Sequence, residues 1–68
     1  MKNYRFPNIK TVEAVLSSGD PYKGYFNGKH FSINLSFLGY YVARVGDRSF
    51  SRDRLVDVMA ELHNELRG

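Results

Sequence analysis

The 68-residue chain contains no cysteine, which excludes disulfide bonds and thiolate metal sites. It has no run of eighteen apolar residues, and its start, "MKNYRFPNIK", lacks an apolar stretch of signal-peptide length. We therefore expect a cytoplasmic protein without a membrane segment. His30 and His63 are too far apart in sequence to form a paired metal motif, and no glycine-rich phosphate loop is present. We predict no catalytic residue, metal ligand or cofactor, and no enzyme activity.

The composition is that of a folded domain, with 43% hydrophobic and 15% aromatic residues. We expect one small domain over residues 1–68, with residues 1–8 as an irregular N-terminal arm. The net charge of +3 is unevenly distributed: residues 1–48 hold seven Lys or Arg and three acids, and residues 49–68 hold three Arg and four acids. This balance permits a polyanionic partner but does not require one.

The stretch "NIKTVEAVLSSGDP" has the boundary residues of a helix over 9–18. Asn8 can cap its N-terminus, Gly19 can end it, and Pro21 prevents its continuation. The β-branched residues of this stretch also suit a strand, so both interpretations remain open.

The stretch "YKGYFNGKHFSINLSF" predicts a β-hairpin, because Asn27 and Gly28 tolerate the positive φ that a two-residue turn needs. Its strands cover residues 22–26 and 29–36. The predicted register pairs Phe26 with Lys29, Tyr25 with His30, Gly24 with Phe31, Lys23 with Ser32 and Tyr22 with Ile33. Alternation then places Phe31, Ile33 and Leu35 towards a core, together with Tyr22 and Phe26.

A third strand, within "GYYVARV", follows a three-residue loop in which Gly39 takes the left-handed conformation. Its predicted register pairs Leu35 with Tyr41, Ile33 with Ala43 and Phe31 with Val45. After a turn at Gly46 and Asp47, Ser51 is predicted to cap a last helix over 52–66. The apolar stripe of that helix comprises Leu55, Val58, Met59, Leu62 and Leu66. The predicted fold class is α+β: α-β-β-β-α, a three-stranded antiparallel meander with both helices on one face.

The other face of this sheet is predicted to be open and to bind nucleic acid, together with the edge from Arg48 to Arg54. Basic side chains contact phosphates, aromatic rings stack on bases, and Asn or Arg can read base edges. The candidate residues are Lys23, Tyr25, Lys29, His30, Asn34, Tyr40, Arg44, Arg48 and Arg52. The alternative interpretation is a solvated face, since the outer side of any such sheet is polar.

A second functional hypothesis is a stand-alone protein-interaction module, such as a phage or mobile-element inhibitor or adaptor that binds a host protein. Its candidate contacts are Tyr40, Asp53, Asp57, Glu61 and Glu65, the four acids recurring every fourth residue along the last helix. Val56, Ala60 and His63 form a weakly apolar strip that either meets the first helix or serves as a homodimer seam. His63 is then expected to be a half-buried packing residue.

The order helix, three-stranded meander, helix within about 60 residues is similar to that of the double-stranded-RNA-binding domain, and the segment from Phe31 to Leu66 has the general rhythm of that family. The start of the last helix, Ser51 to Val56, lacks the lysine-rich motif of that family. The strand "LGYYVARV", in a three-stranded sheet backed by one helix, also resembles the small arm-binding domains of phage-type integrases, which read DNA with the sheet face. Both resemblances concern topology, both imply a nucleic-acid ligand, and neither assigns a family.

Overall fold

The computed structural model describes residues 6–67. Two helices and four strands follow one another in the order α1 (Ile9–Ser17), β1 (Tyr22–Phe26), β2 (Lys29–Leu35), β3 (Tyr41–Val45), β4 (Arg48–Arg52) and α2 (Leu55–Arg67). The strands form one antiparallel sheet in the order β1-β2-β3-β4. The predicted α+β class and the helix-strand order are confirmed, but the sheet has four strands where three were predicted.

The segment over 9–17 is a helix, which settles the choice between helix and strand. Asn8 lies just before it, and its side-chain oxygen accepts a hydrogen bond of 2.7 Å from the backbone N–H of Lys10. Gly19 follows the helix with a φ of 91°, a value at which a side chain would be strained. Of the predicted irregular arm, residues 1–5 lie outside the described part of the chain. Phe6 packs against the core.

The two predicted hairpins are confirmed in every residue pair. Asn27 and Gly28 both have positive φ, 52° and 79°, so the two-residue turn aligns β1 with β2 in the predicted register. Gly39 has a φ of 99° in the loop between β2 and β3, and the backbone N–H of Ser36 donates a 2.8 Å hydrogen bond to the carbonyl of Tyr40. Turn chemistry therefore fixes which side chains share a face of the sheet.

The fourth strand corrects the prediction for residues 48–54. Gly46, with a φ of 60°, and Asp47 form a second two-residue turn, after which Val45 pairs with Arg48. Ser51 belongs to β4 and does not cap the last helix, which begins at Leu55 and not at 52. Phe50 explains the difference, because it lies opposite the buried Ala43 and packs against the core, which a strand conformation permits.

One hydrophobic core joins the helices to a single face of the sheet. Val12 and Leu16 of α1 and the apolar stripe of α2 pack with the inward residues of β2 and β3. The buried residues are Val12, Leu16, Phe31, Ile33, Ala43, Val45, Leu55, Val58, Met59, Leu62 and Leu66. Tyr22, Phe26 and Tyr41 pack against this core as predicted, whereas Leu35, predicted to point into it, is 45% exposed near the end of β2.

The turn between β1 and β2 also contacts the end of the last helix. Asn27 Nδ2 donates a 2.9 Å hydrogen bond to the carbonyl of Leu66, 39 residues away in sequence. The last four carbonyls of a helix have no partner within it, so this bond satisfies one of them. Beside it, the His63 ring stacks on Phe6 at 4.6 Å and meets Phe26 at 5.6 Å. His63 is thus half-buried among rings, as its interpretation as a packing residue requires.

Candidate functional site

The face of the sheet opposite the helices, here called the open face, is defined by strand alternation. Because Phe31, Ile33, Ala43 and Val45 point into the core, their neighbours in β2 and β3 point away from it. The side chains of the open face are Lys23, Tyr25, His30, Ser32, Asn34, Val42, Arg44, Ser49 and Ser51. Tyr40 precedes β3 in the same alternation and is half-buried.

The centre of the open face is a row of four residues placed directly opposite one another. Lys23 pairs with Ser32, Ser32 with Arg44, and Arg44 with Ser49. Two exposed cations on β1 and β3 therefore flank a small, half-buried hydroxyl on β2. Since adjacent strands lie about 4.8 Å apart, the Lys23 and Arg44 backbones are separated by about 10 Å.

The difference in side-chain size creates a depression in this face. Its volume is about 380 Å³, and it is lined by Lys23, Gly24, His30, Phe31, Ser32, Arg44 and Gly46. Long, flexible cations at Lys23 and Arg44 can reach over it from both sides, and the Ser32 hydroxyl can donate a hydrogen bond within it. This arrangement of donors suits a phosphate oxygen.

An aromatic pair lies beside the depression. Tyr25 and His30 are opposite each other on β1 and β2, and their ring centroids are 4.5 Å apart at an interplanar angle of 60°. Both residues are exposed, with 39% of Tyr25 accessible. Further along β2, the exposed Asn34 offers an amide on the same face. Rings and an amide next to cations are the groups that stack on bases and bond to their edges.

The open face has one sign of charge. No strand residue on it is a carboxylate, whereas Glu13 lies on α1 and Asp57, Glu61 and Glu65 lie on α2. The remaining described acids, Asp20, Asp47 and Asp53, are in connections between elements. The described carboxylates that belong to a regular element therefore all lie on the helices, and the open face carries cations alone.

Three of the predicted basic residues lie on the other side of the sheet. Lys29 and Arg48 follow the alternation of the core-facing residues, and so does Arg52. Arg48 Nε is 3.1 Å from Glu65 Oε2, and Arg52 Nη2 is 3.2 Å from Glu61 Oε1. These arginines do not extend the open face, because β4 turns them towards α2.

The same ion pairs compensate part of the negative charge of the last helix. Asp53 precedes α2, so the helix carries three of the four predicted acids. Two of these, Glu61 and Glu65, are paired with arginines of β4. The sequence showed no cation four residues after any acid of this helix, but the compensation comes from a neighbouring strand. Val56 and Ala60 remain exposed beside them.

A feature that sequence reasoning missed is the tip of the β2–β3 hairpin. Phe37 is 96% exposed and Leu38 is 69% exposed, although both are large and apolar. The loop that carries them is held by two hydrogen bonds to Ser36: Gly39 N–H donates to its carbonyl at 2.9 Å and Leu38 N–H to its Oγ at 3.1 Å. The signal was present in "SFLGY", where two apolar residues occupy a turn.

Within residues 6–67, no three His, Asp or Glu side chains come together as a metal site, and no helix has the length and apolar content to cross a bilayer. Comparisons with protein-family models, curated proteins and solved structures gave no match to the chain.

Proposed function

We propose that this protein is a small non-enzymatic binding module that binds nucleic acid through its open face. The observation that supports this proposal most strongly is the row of Lys23, Ser32 and Arg44 on a sheet face whose strands carry no carboxylate. A polyanion meets two cations there without like-charge repulsion from the same surface. Tyr25 and His30, next to the row, supply ring surface for bases.

Fewer residues are proposed as contacts here than the sequence suggested. Lys23, Tyr25, His30, Asn34, Tyr40 and Arg44 share the open face or its continuation. Lys29, Arg48 and Arg52 are left out, because they lie on the helical side and two of them face carboxylates. The proposal thus depends on two permanent cations, which predicts weak binding with a modest dependence on salt.

A matched pair of arginine variants tests the proposal. Arg44→Gln removes a charge from the open face, and Arg48→Gln removes the same charge from the opposite face. Binding of a labelled oligonucleotide, measured by fluorescence anisotropy between 50 and 200 mM salt, should weaken about sevenfold for the native protein if two phosphates of a single strand are neutralised. For Arg44→Gln the loss over that range should fall to about 2.6-fold, whereas Arg48→Gln should retain the native dependence. Equal effects of the two variants would contradict the proposal.

A second candidate function is protein interaction through the hairpin tip, favoured by the exposure of Phe37 and Leu38. Large apolar residues at an exposed tip are candidate anchors for a pocket in a partner protein. Tyr40 adjoins this tip through its backbone bond to Ser36. Binding of a partner protein at this tip would not depend on salt or on Arg44→Gln, but it would be lost in Phe37→Ser. Nucleic-acid binding would show the opposite responses to these two variants.

A further inference from the structure

The fourth strand sets the width of the open face, and that width bears on the kind of nucleic acid it can accept. Four strands about 4.8 Å apart span about 14 Å between the outer backbones, before any side chain is added. The major groove of B-DNA is about 12 Å wide and admits an α-helix or a two-stranded ribbon. The open face is therefore wider than the two-stranded ribbon that this groove admits.

The surface shape of the open face is also unsuited to insertion into the major groove of DNA. A groove reader projects side chains outwards, but the middle of this face is the depression over Ser32, with Lys23 and Arg44 at its sides. On β4 the open-face positions are the short side chains of Ser49 and Ser51. A flexible chain can lower a phosphate into such a depression, whereas a duplex holds its phosphates on a rigid convex surface.

The polar groups follow the direction of β2. His30, Ser32 and Asn34 occupy successive open-face positions and together span about 13 Å, at about 3.3 Å per residue. That length equals the rise of about four stacked nucleotides. The aromatic pair of Tyr25 and His30 lies at one end of this path and the Asn34 amide at the other, with the two cations between them.

We propose, on the basis of the nucleic-acid function argued above, that the ligand of the open face is a single strand. Lys23 and Arg44 each contact one phosphate of the strand, one of these phosphates enters the depression over Ser32, and a neighbouring base packs against the Tyr25–His30 pair. The contacts are to phosphates and to the face of a base, groups that DNA and RNA share.

The test compares three labelled probes by fluorescence anisotropy at 50 mM salt: oligodeoxyuridine and oligouridine of ten nucleotides each, which differ only in the sugar, and a blunt twenty-base-pair DNA duplex. Either single strand should bind at least tenfold more tightly than the duplex. Comparable binding of both single strands indicates that the protein does not distinguish the two sugars. A preference for one of them identifies DNA or RNA as the preferred ligand. Both results support the proposal. Tighter or equal binding of the duplex overturns it.

Tyr25→Leu should weaken single-strand binding at least fivefold, since one base stacked on an aromatic ring typically contributes this much or more. Tyr41→Leu is the matched control, because Tyr41 lies on the helical side of β3 and packs against the core. Unfolding curves establish that each variant is folded at the assay temperature, and His30→Ala provides a second test at an exposed position. Unchanged affinity in both Tyr25→Leu and His30→Ala overturns the placement of the base.

The failures of the two proposals can be distinguished. If the duplex binds more tightly and Arg44→Gln weakens it, the open face binds nucleic acid but the single-strand inference is wrong. If no probe binds, or if Arg44→Gln and Arg48→Gln behave alike, the nucleic-acid function itself is wrong and the inference is lost with it.

Discussion

Replacing Gly24 with alanine tests how the sheet is packed beneath the open face. A Cβ at Gly24 would lie 2.5 Å from Phe31 Cζ and 2.9 Å from its Cε2, which is too close for either contact. Gly24 does not have a positive φ, so the substitution does not strain its own backbone. The Phe31 ring would have to move, but it is 4% exposed and stacks on Phe6 at 6.0 Å and on Tyr22 at 6.2 Å.

Two opposing terms set the size of the effect. Gly→Ala at an unstrained position usually stabilises a protein by about 0.4–1 kcal/mol through the unfolded chain. Overpacking a tight core costs about 1–3 kcal/mol. We therefore expect Gly24→Ala to lower the free energy of unfolding by about 1–2 kcal/mol, a large part of the roughly 3–10 kcal/mol expected for a domain of this size. Urea unfolding with the slope compared between variants measures the change.

A double-mutant cycle identifies the cause. If the Phe31 ring is responsible, Gly24→Ala should cost less in a Phe31→Leu background, with a coupling energy of at least about 0.5 kcal/mol. Gly39→Ala is the control, because its φ of 99° makes alanine costly for a local reason, and among the described residues beyond its chain neighbours no atom lies within 4 Å of its Cβ position. Its effect should add to that of Phe31→Leu within about 0.5 kcal/mol. A neutral or stabilising Gly24→Ala, or additivity with Phe31→Leu, would refute the packing described here.

Three other expectations concern the turn, the ion pairs and the hairpin tip. Asn27→Ala should destabilise the protein by about 1.5–3 kcal/mol in urea unfolding, because it loses both a residue that tolerates positive φ and the hydrogen bond to Leu66. Asn27→Gly should lose only the hydrogen bond, at a cost of about 0.5–1.5 kcal/mol. Equal costs of the two variants would show that the hydrogen bond accounts for the whole effect. Glu61→Gln should lower the free energy of unfolding by at most about 1 kcal/mol at low salt and by less at 1 M salt, because the side chains of Arg52 and Glu61 are nearly half exposed. An equal loss at 1 M salt would contradict an ion pair that solvent screens. Phe37→Ser should leave the free energy of unfolding within about 0.5 kcal/mol of the native value, because Phe37 is 96% exposed. A larger loss would mean that the tip packs on the domain.

The register of the first three strands could be predicted pair by pair because two short loops decide it. Asn27 and Gly28 permit one backbone geometry, and Gly39 permits another. Once the turns are placed, alternation distributes every side chain between core and open face. This is why the positions of Lys23, Tyr25, His30, Asn34 and Arg44 on a common face followed from the sequence.

The fourth strand could not be found in this way, because local signals there favoured a helix start. Ser51 followed by Arg52 and Asp53 has the composition of a helix N-terminus. The strand is stabilised by distant groups: Phe50 packs on the core, and Glu61 reaches Arg52 from α2. These contacts depend on the docking of the last helix, which no local pattern encodes.

The docking of α2 against β4 also determines which cations lie on the open face. Sequence alternation alone would have assigned Arg48 and Arg52 to the core-facing side had β4 been recognised, since Val45 pairs with Arg48. The exposure of Phe37 is a different case. A turn residue can fold back onto its domain or project from it, and only the conformation of the loop distinguishes the two.

A backbone-amide NMR titration with oligothymidine measures whether the ligand binds on the open face. The largest shift changes are expected at Lys23, Ser32, Arg44 and Ser49, the row that crosses all four strands, with smaller changes along α2. Changes centred on α2 or on Phe37, with the row unaffected, would contradict binding on the open face.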